Sequence, residues 1–174
     1  MASLGDRADP ETDTVTVDGA PLPGKPGAVY LMLNKPRGYV TTLSDEYGRR
    51  TAAELVADCG VRVYPVGRLD RDSEGLLLFT NDGELAQRLL HPRHQVDKVY
   101  LAQVEGRVDQ SDVAALAAGM VLGDGLHCLP AELEPLGDGS QCHVTLREGK
   151  YHQVKRMLAA RGKPVVYMTR LSMG

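Results

Sequence analysis

One acidic residue, Asp70, stands in a short polar turn between two segments that both have the pattern of β-strands. The segment before the turn, residues 61–66, alternates apolar and polar side chains, and the segment after it, residues 75–79, is almost entirely apolar. These patterns are typical of a half-buried and a fully buried strand. A loop between two packed strands holds a reactive side chain in position and leaves it open to substrate. We therefore interpret Asp70 as a nucleophile. The alternative is a turn residue whose carboxylate binds nearby backbone N–H groups.

Size and composition predict one catalytic unit in an ordinary globular protein. The chain has 174 residues, of which 43% are hydrophobic and 25% are charged. It has no apolar segment long enough to span a bilayer and no signal-peptide pattern at its N-terminus. The three cysteines, Cys59, Cys128 and Cys142, have no paired spacing, which argues against a disulfide framework and a structural zinc site. We expect a cytoplasmic protein without a membrane partner.

The distribution of charge is more informative than its total. The net charge of −3 is not typical of a nucleic-acid-binding protein. Residues 141–174, however, contain seven basic residues and one acidic residue, a local net charge of +6. A basic patch can bind phosphates on a protein that is acidic overall. The alternative is a solvated helix face followed by a strand.

Strand and helix patterns alternate along the chain. Asn81, with Glu84 three residues later, has the pattern of a capping box and predicts the start of a helix. Taken alone, the alternation suits βαβ units with a parallel sheet as well as an α+β arrangement. The remaining predicted strands cover residues 29–33, 98–105, 141–147 and 165–171, and the remaining predicted helices cover residues 51–59, 109–118 and 152–161.

Four segments resemble the RsuA-like family of ribosomal RNA pseudouridine synthases, in the family's order. Gly67-Arg68-Leu69-Asp70, with the continuation over residues 73–83, is similar to the G-R-L-D motif that carries the family's catalytic Asp. Asn34-Lys35-Pro36 is similar to the first motif, and its role is expected to be structural, shaping the floor under the Asp70 loop. Asp97-Lys98-Val99-Tyr100 and residues 148–157 are similar to two further motifs. The resemblance covers residues 28–174.

The resemblance implies an α+β fold: a mixed, mostly antiparallel sheet in two lobes, with flanking helices and a central cleft. It implies that Asp70 is the catalytic residue and that Lys155 faces its carboxylate. It also implies that the ring of Tyr100 stacks on the target base, with its hydroxyl close to the chemistry. A purely structural tyrosine in a strand is the alternative reading of Tyr100.

The implied reaction isomerises a uridine of ribosomal RNA to pseudouridine. The bond from ribose to ring nitrogen is replaced by a bond to ring carbon 5, without redox change, so no cofactor is expected. Arg68, Lys150 and Arg156 are expected to form the basic rim that binds the RNA. Residues 148–157 slightly favour small-subunit over large-subunit ribosomal RNA as the substrate. The protein is expected to act as a monomer.

Two other functions fit parts of the sequence. A non-catalytic module that binds ribosomal RNA or assists ribosome assembly would use the basic patch alone. A metal-assisted phosphohydrolase would hold Mg²⁺ between Asp70 and Asp72. His91 and His94 lack an evident third ligand of suitable spacing, so no metal site is predicted.

The chain divides into an N-terminal arm or linker, residues 1–27, and a catalytic domain, residues 28–174. The arm looks like the end of a small RNA-binding domain that precedes the catalytic part in many members of the family. Members of the family usually continue past the Ser172-Met173-Gly174 segment with a further strand. We therefore expect the catalytic domain to be truncated at its C-terminus.

Overall fold

The computed structural model describes residues 3, 5–9, 12–22, 24 and 26–174; residues 1, 2, 4, 10, 11, 23 and 25 of the predicted arm lie outside the described residues. The fold is α+β, as predicted. None of the described helices has the length and apolarity that a membrane crossing requires. The helices are α1 (Gly83–Leu90), α2 (Gln110–Ala117) and α3 (Gln153–Ala160), with 3-10 helices at Ala52–Cys59 and Pro92–His94. The strands are β1 (Thr16–Val17), β2 (Ala20–Pro21), β3 (Tyr30–Lys35), β4 (Tyr64–Pro65), β5 (Glu74–Thr80), β6 (Lys98–Val104), β7 (Met120–Val121), β8 (His127–Cys128), β9 (Glu132–Leu136), β10 (Gln141–Leu146) and β11 (Val165–Met173).

Seven strands form the main sheet, in the order β3-β5-β11-β6-β10-β9 with β4 also beside β5. Every neighbouring pair is antiparallel except β5 and β11, which are parallel. α2 packs against β9, and α3 packs against β11. The prediction of a mixed, mostly antiparallel sheet with flanking helices is confirmed, and the fully parallel alternative is wrong.

Only a short pairing between β5 and β11 connects the two parts of the main sheet. β3 pairs with one edge of β5 from Gly75 to Thr80. On the opposite edge, β11 pairs only with Glu74 and Gly75, and β4 pairs only with Phe79 and Thr80 at the far end. β3, β4 and β5 therefore form one part of the sheet, and β6, β9, β10 and β11 form the other. The chain from β4 to β5, which carries Asp70, lies beside the junction of the two parts.

Alternating burial along the central strands places one face of the sheet in the core. On β6, Tyr100, Ala102 and Val104 are buried, as their shared face predicted. β10 continues this face with Cys142, Val144 and Leu146. From α3, the side chains of Val154, Met157 and Leu158 complete the core at this end of the sheet.

The predicted start of α1 is wrong by one residue. Asp82, and not Asn81, is the N-cap, because its carboxylate accepts a hydrogen bond from the backbone N–H of Leu85. The carboxamide of Asn81 accepts from the N–H of Val29 at 2.8 Å and donates to the carbonyl of Gly27 at 2.9 Å. Asn81 therefore fastens the chain that enters β3 instead of capping the helix.

The predicted strand over residues 61–66 is shorter than expected, since only Tyr64 and Pro65 pair with β5. Pro65 has no backbone N–H to continue a ladder. The chain then turns at Gly67, which has a φ of 77°. Before that turn, the N–H of Val66 donates to the carbonyl of Leu78 at 2.7 Å and keeps the start of the Asp70 loop against β5.

A buried ammonium group holds the Asp70 loop from below. Lys35, at the end of β3, is 0% exposed. Its Nζ donates to the carbonyl oxygens of Pro36, Asp70 and Ser73 at 3.1, 3.0 and 2.8 Å. Burial lowers the pKa of Lys35 to about 8, so the group is still mostly charged at neutral pH. Lys35 thus supports the loop with a cation and takes no place in the cleft.

We predict that Gly75→Ala separates the two parts of the sheet. A Cβ at Gly75 would lie 2.3 Å from the carbonyl oxygen of Arg170 and 2.6 Å from its N, and Gly75 has a φ of 100°. The free energy of unfolding, measured by urea denaturation, should fall by about 3 kcal/mol or more. The matched control is Gly83→Ala in α1, where a Cβ meets nothing within 4 Å. That control should leave stability unchanged or raise it by up to about 1 kcal/mol. Equal losses in the two variants would contradict the close approach at Gly75.

A second prediction concerns the buried ammonium. Lys35→Met leaves three carbonyl oxygens without their charged donor, and this should lower the free energy of unfolding by about 3 kcal/mol. Met32→Ala on the same strand is the control, because Met32 is 81% exposed and its truncation should change stability by less than about 0.5 kcal/mol. Urea titrations at pH 7 measure both. A Lys35→Met protein as stable as the wild type would show that these hydrogen bonds do not hold the loop.

Candidate active site

The backbone of the Asp70 loop is tied down on both sides of Asp70. Leu69 exchanges two hydrogen bonds with the hydroxyl of Thr41, at 2.7 and 3.2 Å. The carbonyl of Arg71 accepts from the N–H of Gly38 at 2.7 Å. With the bond from Lys35 to the Asp70 carbonyl, these contacts leave the loop little freedom, while the Asp70 side chain stays partly exposed. The carboxylate is therefore held in one place at the surface of a cleft.

Two basic side chains flank the Asp70 carboxylate. Lys155 of α3 places Nζ 3.1 Å from Oδ2 of Asp70, and His152 places Nε2 3.3 Å from Oδ1. The ammonium of Lys155 also lies 2.5 Å from Oδ1 of Asp72, and this hydrogen bond lowers the pKa of Asp72. The structure thus brings Lys155 to the carboxylate that the family resemblance assigned to it.

A cavity of about 450 Å³ opens beside the Asp70 carboxylate. Its volume is in the range of sites that bind small molecules, about 300–1,000 Å³. Of the predicted site residues, Arg68, Asp70, Tyr100 and Lys150 line it. Asp70 contributes the only carboxylate among the described residues of the lining. The cavity therefore presents one acid in a surface that is otherwise basic, aromatic or apolar apart from the amide of Gln153.

Tyr100 lies at the inner side of this cavity and is mostly enclosed. The residue is only 7% exposed and belongs to the core face of β6. It lies opposite Arg170 in the pairing of β6 with β11 and opposite Val144 in the pairing with β10. Tyr100 thus combines a place in the core with a surface on the cavity, and only that surface is available to a ligand.

The three residues predicted to bind RNA differ in their surroundings. Arg68 is exposed at the cavity. Lys150 pairs with Glu148 at 2.8 Å and donates to the carbonyl of His127. Arg156 does not line the cavity, and its guanidinium lies 2.5 Å from the carboxylate of Asp124. An RNA phosphate at Lys150 or Arg156 would therefore compete with an acid that the protein already supplies.

The geometry bears on the magnesium alternative. Such a site needs a cation between the carboxylates of Asp70 and Asp72. The ammonium of Lys155 lies within hydrogen-bonding distance of both carboxylates. The protein itself thus provides the positive charge that this pair of acids attracts.

His91 and His94 interact with their neighbour in the sequence. Nδ1 of His91 accepts a hydrogen bond from the backbone N–H of Arg93 at 3.2 Å, and Nε2 of His94 accepts one from Nε of Arg93 at 3.1 Å. Within the described part of the chain, no group of three His, Cys, Asp or Glu side chains is arranged to hold a metal ion.

Reasoning from the sequence missed four residues of the cavity: Tyr151, His152, Lys98 and Arg170. His152 has left-handed backbone angles, with φ 51° and ψ 32°, at the N-terminus of α3. Its ring stacks on that of Tyr151, which is 70% exposed, with centroids 3.8 Å apart. His152 precedes Lys155 by three residues, a spacing that places both on one side of the first helical turn and could have identified His152. Lys98 precedes Tyr100 by two residues, and the alternation of the strand could have placed both on one face. Arg170 had no such signal, because a cation within a strand normally points to solvent.

Comparison with known proteins agrees with this architecture. The sequence model for RNA pseudouridylate synthases matches residues 29–160. An uncharacterised RNA pseudouridine synthase of Aquifex aeolicus (strain VF5) is 46% identical over 179 residues, covering 100% of this chain and 71% of the relative. The ribosomal large subunit pseudouridine synthase B of Bacillus subtilis (strain 168) is 36% identical, covering 91% of this chain and 66% of its own length. The ribosomal small subunit pseudouridine synthase A of Salmonella typhimurium is 39% identical, covering 92% and 69%.

A solved structure shares the whole fold. The crystal structure of a pseudouridylate synthase superimposes with a TM-score of 0.80 at 35% sequence identity, covering 99% of this chain and 74% of that one. The matched family region includes the Asp70 loop, β6 and α3, which line much of the cavity. The chain belongs to the RNA pseudouridine synthase family and is an isomerase that acts on RNA.

Proposed function

We propose that this protein isomerises one uridine of ribosomal RNA to pseudouridine, with Asp70 as the nucleophile and residues 28–174 as the catalytic domain. The observation that carries the proposal is the Asp70 carboxylate, which is held on a tied loop, flanked by Lys155 and open to a cavity. In the reaction the bond from N1 to C1′ breaks and a bond from C5 to C1′ forms. Asp70 forms a transient bond to C1′ or to ring carbon 6, and that bond breaks again before the product leaves, so the carboxylate is regenerated. C5 loses a proton and N1 gains one. Atoms and electrons balance, so the proposal includes no cofactor.

Each predicted site residue takes a part in this proposal. Lys155 holds the Asp70 carboxylate in one orientation, which a carboxylate nucleophile requires. Tyr100 contacts the target base from the inner side of the cavity, using the part of its surface that remains open. Arg68, Lys150 and Arg156 bind phosphates of the RNA around the mouth, and the last two exchange Glu148 and Asp124 for a phosphate.

Small-subunit ribosomal RNA is our first candidate for the substrate, and large-subunit ribosomal RNA is the second. Residues 148–157 favour the small subunit by their resemblance to that branch of the family. Relatives named for each subunit are similarly close, at 39% and 36% identity. We further propose that the protein acts as a monomer. The free thiols of Cys59, Cys128 and Cys142 support a place in the reducing cytoplasm.

The first test replaces the nucleophile. Asp70→Asn keeps the shape of the side chain and removes its charge, so turnover should fall by at least about 1,000-fold. RNA affinity should change by less than about threefold, because phosphate contacts supply most of it. Turnover is measured as release of tritium from C5 of labelled uridine in transcribed ribosomal RNA, with affinity from filter binding.

The control for this test is Asp72→Asn, assayed with and without a chelator. Asp72 is more exposed than Asp70 and shares Lys155 with it, so its replacement should cost no more than about tenfold. Wild-type turnover should survive the chelator. Equal losses in both variants together with chelator sensitivity would indicate the phosphohydrolase instead. Normal turnover of Asp70→Asn would refute the role of Asp70 as the nucleophile.

The second test identifies the substrate. Pseudouridines are mapped in both ribosomal RNAs from cells with the gene, without it, and with the gene encoding Asp70→Asn. We expect one small-subunit position to lose pseudouridine in the last two strains. Loss of a large-subunit position would establish the second candidate. If every ribosomal position is unchanged, the ribosomal assignment is wrong.

A further inference from the structure

Two cations are buried side by side at the inner wall of the cavity. Arg170 of β11 is 3% exposed and Lys98 of β6 is 6% exposed, yet both line the cavity. Burial, together with the nearby Arg170 guanidinium, lowers the pKa of Lys98. The ammonium of Lys98 donates to the carbonyl of Val96 at 3.1 Å. Burying two neighbouring cations is unfavourable unless a partner of opposite charge or a hydrogen-bond acceptor repays it.

The guanidinium of Arg170 is only partly hydrogen-bonded. Its Nε donates to the carbonyl of Leu76 at 2.7 Å, at the junction of the two parts of the sheet. Its Nη2 is buried and has no hydrogen-bond partner among the described residues. Side chains in proteins rarely leave a buried charged donor unmet, so such a group indicates a missing partner. No carboxylate in the described lining of the cavity is available as this partner, because the carboxylate of Asp70 already contacts Lys155 and His152.

The backbone around Arg170 is built to hold this position. Gly75 opposite it has no side chain, and a Cβ there would collide with the Arg170 backbone. The pairing of β11 with β6 is irregular immediately after Arg170, between Arg170 and Ser172. Irregularities of this kind re-aim a side chain, often next to an active site. The guanidinium is thus directed by its strand and anchored through Nε before any ligand enters.

We propose that Arg170 is a further catalytic residue, which donates a hydrogen bond to a carbonyl oxygen of the target uracil; this rests on the proposed function. When the bond from N1 to C1′ breaks, its electron pair stays on the uracil ring, and the negative charge spreads to O2 and O4. Formation of the C5–C1′ bond uses that electron pair, and the charge left when C5 then loses its proton is neutralised when N1 gains one. A preorganised cation in a buried site stabilises such a transient oxyanion strongly. Lys98 adds positive charge to the same wall.

A base oxygen fits this site better than a phosphate does. Arg170 and Lys98 lie next to Tyr100 on the enclosed side of the cavity, whereas Arg68 and Tyr151 are exposed at its mouth. A nucleotide that leaves its stack can put its base into such a pocket while its phosphates stay in the chain outside. The unpartnered Nη2 of the anchored guanidinium also suits a carbonyl oxygen as its acceptor.

The test pairs variants of Arg170 with sulfur substitution in the RNA. The RNA is a transcript of the region that pseudouridine mapping identifies, carrying uridine, 2-thiouridine or 4-thiouridine at the target. Sulfur is a poorer hydrogen-bond acceptor than oxygen. In the wild type, one of the two sulfurs should slow single-turnover isomerisation about tenfold. In Arg170→Met, the rate of isomerisation with uridine should fall about 100-fold, and RNA affinity should stay within about twofold of the wild type. Neither sulfur substitution should change the rate of this variant by more than about twofold.

Arg107→Met, at an exposed ion pair with Asp138, is the control and should respond to sulfur as the wild type does. Arg170→Lys keeps the positive charge and replaces Arg170→Met in this assay if that variant does not fold. A sulfur effect of the same size in the wild type and the Arg170 variant overturns the proposal. The proposal is also overturned if neither sulfur substitution slows the wild type, whatever the variants show. Weaker RNA binding with no change in the sulfur effect would place a phosphate at Arg170. A wild type that fails to convert uridine itself would instead refute the proposed function.

Discussion

Between β5 and β11, only Glu74 and Gly75 pair with Thr169 and Arg170, and these two residue pairs join the two parts of the main sheet. They are also the only parallel contact in a sheet that is otherwise antiparallel among the described strands. The approach is so close that only glycine fits at position 75. Because the contact is short, the middle of the β5 edge stays free of a neighbouring strand. The Asp70 loop and the Arg170 side chain both use this opening, so the junction creates the cleft as well as joining its walls.

The charges around the cleft are arranged in layers. Lys35 lies beneath the loop and binds backbone carbonyls, so it restrains Asp70 without neutralising its side chain. Lys155 and His152 meet the carboxylate itself from α3. These ion pairs are partly exposed and contribute little to stability. Their effect is local, because they orient one acid inside a basic surface that also attracts a polyanionic substrate.

The differences between expectation and structure have a common physical origin. Asn81 and Glu84 have the spacing of a capping box, but the Asn81 side chain binds the chain before β3, and Asp82 caps the helix. Residues 61–66 alternate like a strand, yet Pro65 and Gly67 limit the pairing to two residues. In both cases a local pattern was correct about the type of element. A partner or a turn that the pattern does not encode then moved its boundary.

The sequence by itself determined most strands of the main sheet, the acidic loop between two strands and the basic C-terminal part, because apolar periodicity and turn residues are local properties. The edge strand β9 was not predicted. The family resemblance supplied the fold and the assignment of Asp70, Tyr100 and Lys155. Only the tertiary structure decided that Lys155 reaches Asp70 and Asp72, that Arg156 is held by Asp124, and that Lys98 and Arg170 are buried against one cavity. These contacts join residues far apart in the chain. Whether a charged side chain points to solvent or to a cavity depends on which strands become neighbours, and no short stretch of sequence contains that information.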